Sequence, residues 1–304
     1  MSGPSFTVRA PATSANLGPG FDCLGLALSL HNTVTVTPGG DTLSLSLTGP
    51  FAGQVTSVGD DNLTVRALRR VLERAGAPAQ GLSLASAVSI PPGRGLGSSS
   101  AAIAVGLVAG NHLAGCPFDT ATLLGMGTCL EGHPDNLAAA LYGGLTVAVT
   151  TAGGPVARSA PYPPGLRALL VIPSAPVSTE AARSALAGRV SLADAVHNLS
   201  RTALLLTCLR AGDWDLLTLA TEDALHQATR LRLVPGLAQA LAALRDAGLP
   251  AVVSGSGPSL LAFVPPGSDP GTAGDEAVAR LAGCGTGADW RIVEVADWGA
   301  GIVS

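Results

Sequence analysis

Three glycines alternate with other residues in PPGRGLGSSSAAIAVGL (91–107), followed at once by three serines and a run of small apolar side chains. A helix beginning at the serines would present backbone N–H groups without intrahelical partners, together with the positive end of its dipole. Glycines ahead of such a helix let an anion approach the backbone, and serine hydroxyls add donors or a metal ligand. The chemistry this suits is phosphate binding; the plainer alternative is a glycine turn with a serine cap. The chain has no lysine, all 17 of its basic residues being arginine. That excludes a Walker lysine, a protein-kinase strand lysine and a Schiff base to pyridoxal phosphate. Positive charge at a bound phosphate must then come from backbone, magnesium or arginine.

LEGHPDN (130–136) is a second polar knot between apolar segments. A carboxylate such as Glu131 facing a triphosphate could hold Mg²⁺, a hard cation that favours oxygen ligands. Asp135 or Asn136 could orient an attacking hydroxyl; alternatively the segment is a turn in which Asp135 caps the next helix. VVSGSGPSLLAF (252–263) sets a glycine–serine turn between apolar runs, as many tight turns do. In APATSANLGPGFDCLGLAL (10–28), Asn16 and Asp22 lie among small apolar residues, where a buried aspartate needs a partner. STEAAR (178–183) and EDALHQATRLRLVPG (222–236) place arginines just beyond polar helix starts, although isolated arginines are more often solvated surface.

The elements that must position these residues are read from periodicity. Residues 5–10 and 32–49 alternate apolar and polar side chains, as half-buried strands do. Helical spacing predicts a helix over 62–75, with Gly76 just past its end. A strand over 82–90 leads into the glycine segment, and the helix after it covers 98–113. Helices follow over 119–131 and 136–141, then a strand over 143–150. The stretch 151–165 is weakly patterned, and the domain boundary is placed there. Beyond it come the strand LRALLVIP, helices over 179–187, 191–211 and 213–228, and the helix LAQALAALRDAG. A strand–turn–strand follows around SGSG, then a last helix and strand. Strands and helices alternating in both halves predict an α/β or α+β protein.

The 304 residues, 47% apolar and 12% charged, suffice for one large domain or two ordinary ones. A net charge of −4 argues against nucleic acid as the main partner. The five cysteines form no CxxC pair, so neither a disulfide framework nor a zinc site is predicted. With no signal-like N-terminal segment and no apolar run of membrane-spanning length, a cytoplasmic protein that does not engage membranes is expected.

In their order along the chain these segments resemble the GHMP small-molecule kinases, and within them most of all the homoserine kinases. PPGRGLGSSSAA is similar to the family's phosphate loop, SANLGPGFDCLGLAL to its N-terminal substrate motif, EGHPDN to its central motif and SGSGPSLLAF to its C-terminal glycine loop. The resemblance implies an α+β fold of two domains. Residues 1–155 would be ribosomal protein S5 domain 2-like and carry the ATP loop; residues 156–304 would be ferredoxin-like. It implies ATP- and Mg²⁺-dependent phosphorylation of the side-chain hydroxyl of L-homoserine, a step of threonine synthesis, in a possible homodimer. By the same resemblance Pro91, Gly93, Arg94, Gly95, Leu96, Gly97, Ser98, Ser99 and Ser100 contact ATP phosphates, and Asn62 lies near the adenine. Ser99 and Glu131 would hold the metal. Asn16, Asp22, His133, Asp135, Asn136, Thr179 and Gly255 would line the acceptor pocket. Arg183 and Arg230 would bind the acceptor's carboxylate, with Arg232 an alternative to Arg230 because the family's H-Q-P-Y-R reads HQATR here. Cys129 stands where related sequences often carry another acid. With asparagine at position 136, catalysis is expected to rest on positioning, without a dedicated protein base. Another GHMP kinase, of mevalonate-pathway or shikimate type, and a ligand-binding protein without turnover are the alternatives.

Overall fold

The computed structural model describes residues 3–57, 59–79, 81–186 and 188–303. In chain order the first half comprises β1 (Phe6–Asn16), β2 (Gly20–Pro38), β3 (Leu43–Thr48), α1 (Leu63–Ala75), β4 (Leu82–Ala87), α2 (Ser98–Leu113), α3 (Thr120–Glu131), α4 (Asp135–Tyr142), β5 (Leu145–Thr151) and β6 (Gly154–Ala160). The second half comprises β7 (Arg167–Pro173), α5 (Thr179–Ser184), α6 (Leu192–Ala211), α7 (Leu217–Ala220), α8 (Gln227–Arg230), α9 (Leu237–Asp246), β8 (Ala251–Val253), β9 (Leu260–Val264), α10 (Gly271–Gly283), β10 (Ala288–Glu294) and β11 (Gly301–Ile302).

Two sheets organise these elements. The first runs β11-β1-β2-β4-β3, with β5 pairing to β2 and β6 to β5; the second runs β10-β7-β9-β8. Strand β2 is long enough to serve two neighbours: Leu24 to Leu26 pair with β5, and Thr33 to Pro38 pair with β4. Strands β7 and β9 of the second sheet are buried on both faces. Leu169, Val171, Leu260 and Ala262 pack with α9 and α10, whereas Leu170, Ile172, Leu261 and Phe263 join the core shared with the first half. That period of two explains why β7 and β9 read as continuous apolar runs rather than as alternating ones.

Local signals set the helix ends. Asn62 Oδ1 accepts the Thr64 N–H at 3.0 Å ahead of α1, and Gly76 ends the helix in the left-handed region. Asp119 and Ser191 cap α3 and α6 in the same way. Helix α2 has no polar face to offer: Ile103, Ala104, Val105 and Leu107 are all buried. It runs through the core, which fixes the direction of its N-terminus.

Several elements differ from the sequence reading. Strand β2 begins at Gly20, not 32, so Asp22 lies near the start of an interior strand. The stretch 151–165 contains β6, an edge strand whose Leu145↔Ala160 to Thr151↔Gly154 pairing extends the first sheet. The change of sheet therefore falls after Ala160. The helix expected over 213–228 is two single turns, α7 and α8, and the helix expected over 179–187 ends at Ser184, residue 187 lying outside the described residues. Among the described residues no helix is long and apolar enough to cross a membrane.

Candidate active site

A cleft opens where the two sheets meet, between the loop before α2, the β1–β2 turn, the start of α4 and the turn joining β8 to β9. Seventeen of the expected residues face it: Asn16, Asp22, Asn62, Gly93, Gly95, Leu96, Gly97, Ser98, Ser99, Glu131, His133, Asp135, Asn136, Thr179, Arg183, Arg230 and Gly255.

The loop before α2 is held from both sides. Thr13 N–H donates to Leu96 O at 3.0 Å, and Ser254 Oγ donates to Gly95 O at 2.7 Å. Gly95 and Gly97 have φ of +68° and +65°. A Cβ on Gly97 would run into the Thr13 side chain, and one on Gly95 into the backbone of Ser254 and Gly257. Only glycine lets the loop pass this close to its supports while it lines the cleft. The helix that follows has no side-chain cap at Gly97, so its N-terminal donors remain available to an anion.

Glu131, at the last residue of α3, reaches this end of α2. Its Oε1 accepts the hydroxyl protons of Ser99 at 2.7 Å and Ser100 at 2.9 Å. One carboxylate and two hydroxyls make a hard, all-oxygen donor set, and it lies beside the N–H cradle.

Arg94 does not reach the phosphate cradle. Its guanidinium is turned away, donating to Gln54 Oε1 (2.7 Å), Pro92 O (2.6 Å) and Ser174 O (2.6 Å). Burial pulls its pKa below the usual arginine value. It braces the loop against the second sheet. Pro91, Arg94 and Ser100 are also absent from the cleft wall. Asn62 lines the wall, but its amide is spent on the α1 cap and on Ser57 O.

The other end of the cleft is charged. Asp22, at φ +55°, is paired bidentately with Arg183 at 2.7 and 2.8 Å. The hydrogen bonds that Arg183 donates to Asp22, ahead of the opposing effect of burial, push the Arg183 pKa up. Asn16 turns this segment: its Oδ1 accepts the Asp22 N–H, and its Nδ2 donates to Gly255 O. Arg230 is buried at 3% exposure yet faces the cleft, while Arg232 is exposed and donates to Thr229 Oγ1. Of the two arginines, Arg230 lines the cleft and Arg232 does not.

Between the two ends lie His133, Asp135 and Asn136. Asp135 Oδ1 accepts the Asn136 N–H at 2.7 Å and lies 3.1 Å from His133 Nδ1. Its hydrogen bond, more than the opposing burial, raises the His133 pKa. Asn136 Oδ1 accepts the Thr13 hydroxyl at 2.8 Å, so its Nδ2 protons are what remains to be offered. Thr13 thus supports both the phosphate loop and Asn136. Thr13 and Ser254 fall inside motif segments without standing out in them, and Gln54 and the 55–57 wall fall outside every motif, because all of these residues act through contacts distant along the chain.

A glycine-shaped N–H cradle beside a single carboxylate, facing a pocket built for a charged small molecule, defines a small-molecule phosphotransferase. The comparisons agree. The model of the GHMP kinase N-terminal domain matches residues 62–144, and that of the GHMP kinase C-terminal domain matches residues 205–283. A homoserine kinase of Desulfitobacterium hafniense is 45% identical over 259 residues, covering 84% of this chain and 86% of that protein. One of Leifsonia xyli is 42% identical over 297 residues, covering 96% and 89%. Among solved structures, homoserine kinase of Cytophaga hutchinsonii superposes with a TM-score of 0.86 at 28% identity, covering 100% of this chain and 98% of that one. The chain belongs to the GHMP kinases, in the homoserine kinase branch.

Proposed function

We propose that the chain transfers the terminal phosphoryl group of ATP to the side-chain hydroxyl of L-homoserine. The observation that carries this is the charge arrangement opposite the phosphate loop. Asp22 is matched to an ammonium, and Arg183 and Arg230 are matched to a carboxylate, as an α-amino acid requires. Asp22 and Arg183 pair with each other, and a zwitterion entering between them would exchange one ion pair for two. The relatives named homoserine kinase support the choice of amino acid.

The roles follow from position. The N–H groups of the 93–99 loop take the β- and γ-phosphates, and the 54–57 wall takes the nucleoside. Ser99 and Glu131 would hold Mg²⁺, for which an all-oxygen donor set is suited. When bound, Mg²⁺ neutralises charge on the phosphate oxygens. Asn136 donates toward the acceptor, and His133 and Asp135 fix that wall. The Asn136 amide is not basic enough to take the acceptor's proton, so alignment and charge neutralisation supply the acceleration, as a loose phosphoryl-transfer transition state allows. A coupled ADP-release assay with homoserine, mevalonate and shikimate in parallel tests the reading. Turnover is expected with homoserine; turnover with either of the others alone would overturn it.

A further inference from the structure

Arg230 Nη1 donates to Gly255 O at 2.7 Å and to His226 Nδ1 at 3.0 Å, which uses both of its protons. Nε is buried without a partner, and among the described residues nothing engages Nη2. These two nitrogens form one planar edge of the guanidinium, the geometry that takes both oxygens of a carboxylate. Which edge stays free is therefore decided by one carbonyl and one imidazole.

The imidazole is itself held in a single state. His226 is 1% exposed, and its Nε2 lies 2.7 Å from Gly18 O. A carbonyl can only accept, so Nε2 carries the proton and Nδ1 is left to accept from the arginine. Burial, opposed by Asp223 and reinforced by Arg230, brings the His226 pKa down to about 4. The ring packs on Phe21 at 5.3 Å between centroids, and the Arg230 and Arg183 guanidiniums lie 5.4 and 5.6 Å from the same ring. Its backbone N–H donates to Asp223, which also accepts from Asn198; Asn198 in turn donates to Pro19 O. One histidine thus links the β1–β2 turn, just ahead of Asp22, to the arginine on α8.

We propose that His226 is a positioning residue for the acceptor's carboxylate: accepting one Nη1 proton, it turns the Nε–Nη2 edge of Arg230 toward the substrate. This rests on homoserine being the acceptor.

Steady-state kinetics with homoserine and with aminopropanol, which keeps hydroxyl and ammonium but lacks the carboxylate, test it. His226→Leu should lower kcat/KM for homoserine at least about tenfold, chiefly through KM, while leaving aminopropanol within about twofold. Combining it with Arg230→Ala should add nothing to the effect of Arg230→Ala alone. His226→Asn, whose amide oxygen can stand at the Nδ1 position, should retain more homoserine activity than His226→Gln. Equal losses on both substrates, multiplicative losses with Arg230→Ala, or identical Asn and Gln variants would overturn the role of His226. Should His226→Leu not fold, the Asn and Gln pair decides. Absence of wild-type turnover with homoserine would instead overturn the acceptor reading and this proposal with it.

Discussion

Glu131 accepts two serine hydroxyls on one oxygen, so its substitution tests the metal assignment directly. Glu131→Gln keeps the size and loses the charge; kcat is expected to fall at least about a hundredfold, since a bound metal supplies several kcal/mol of transition-state stabilisation. Unchanged turnover across a magnesium titration would refute the role. At the opposite end, Arg183→Ala removes a charge-assisted pair worth about 1.5–3 kcal/mol, so homoserine KM should rise about 10- to 100-fold with ATP KM nearly constant. Matched rises in both constants would speak against a carboxylate clamp. His133 gives a pH signature. Its pKa is raised in the folded state, so its contribution to stability is full below the unfolded value of about 6.5 and fades as pH climbs through the folded value. His133→Gln should therefore lower Tm more at pH 6 than at pH 9, and an equal loss at both would exclude the Asp135 interaction as the cause. Much of this chemistry was legible in the sequence, because short motifs place Ser99, Glu131, Asp135 and Asn136 within a few residues of a helix end. The direction of an arginine was not. Arg94 stands in the middle of the loop yet folds back onto Gln54 and Ser174, partners 40 and 80 residues away.

The loop and α2 act as one element, with their precision set by the contact between Gly97 and Thr13. Gly97→Ala would force a Cβ into the Thr13 side chain at a φ of +65°. Backbone strain of this kind costs about 1–3 kcal/mol. Because Thr13 also holds Asn136, the variant should lose Tm, ATP affinity and kcat together. Normal kcat with only weakened ATP binding would show that Thr13 does not couple the two. Helices with clear caps were readable in advance: Asn62, Asp119 and Ser191 each sit one residue before a helix. The broken segment after α6 was not, although its apolar spacing is helical. Asp213 accepts the Asp215 N–H, and Asp223 accepts those of Leu225, His226 and Gln227. Side chains that capture backbone donors compete with a continuous helix, and here they leave α7 and α8 as separate turns. The same competition creates the bend that puts His226 behind Arg230. Strand β6 is hard to read in the sequence for another reason: it has one neighbour and an exposed face, so its residues carry little apolar signal.

The cleft takes walls from both sheets, and Asn16, Ser254 and Gly255 bond across the junction. Ligand binding should therefore stabilise the molecule as a unit. At a hundredfold excess over Kd, one ligand adds about 2.7 kcal/mol, so nucleotide and homoserine should each raise a single unfolding transition. Two transitions, only one of them responsive, would mean that the halves unfold independently. The mixed α/β class is legible from alternating strands and helices, but the two sheets and their joining are not, since they rest on pairs separated by most of the chain. Strand β11 is the extreme case: Ile302 pairs with Val8, Gly301 with Arg9, and Val303 N–H donates to Thr7 O. During synthesis a chain leaves the ribosome N-terminus first, at about 5–20 residues per second. Strand β1 emerges early and must wait for nearly three hundred further residues before its outer edge is covered. The nascent first half thus carries an open strand edge, a template for unwanted pairing, and its sheet is completed only after the second half has emerged.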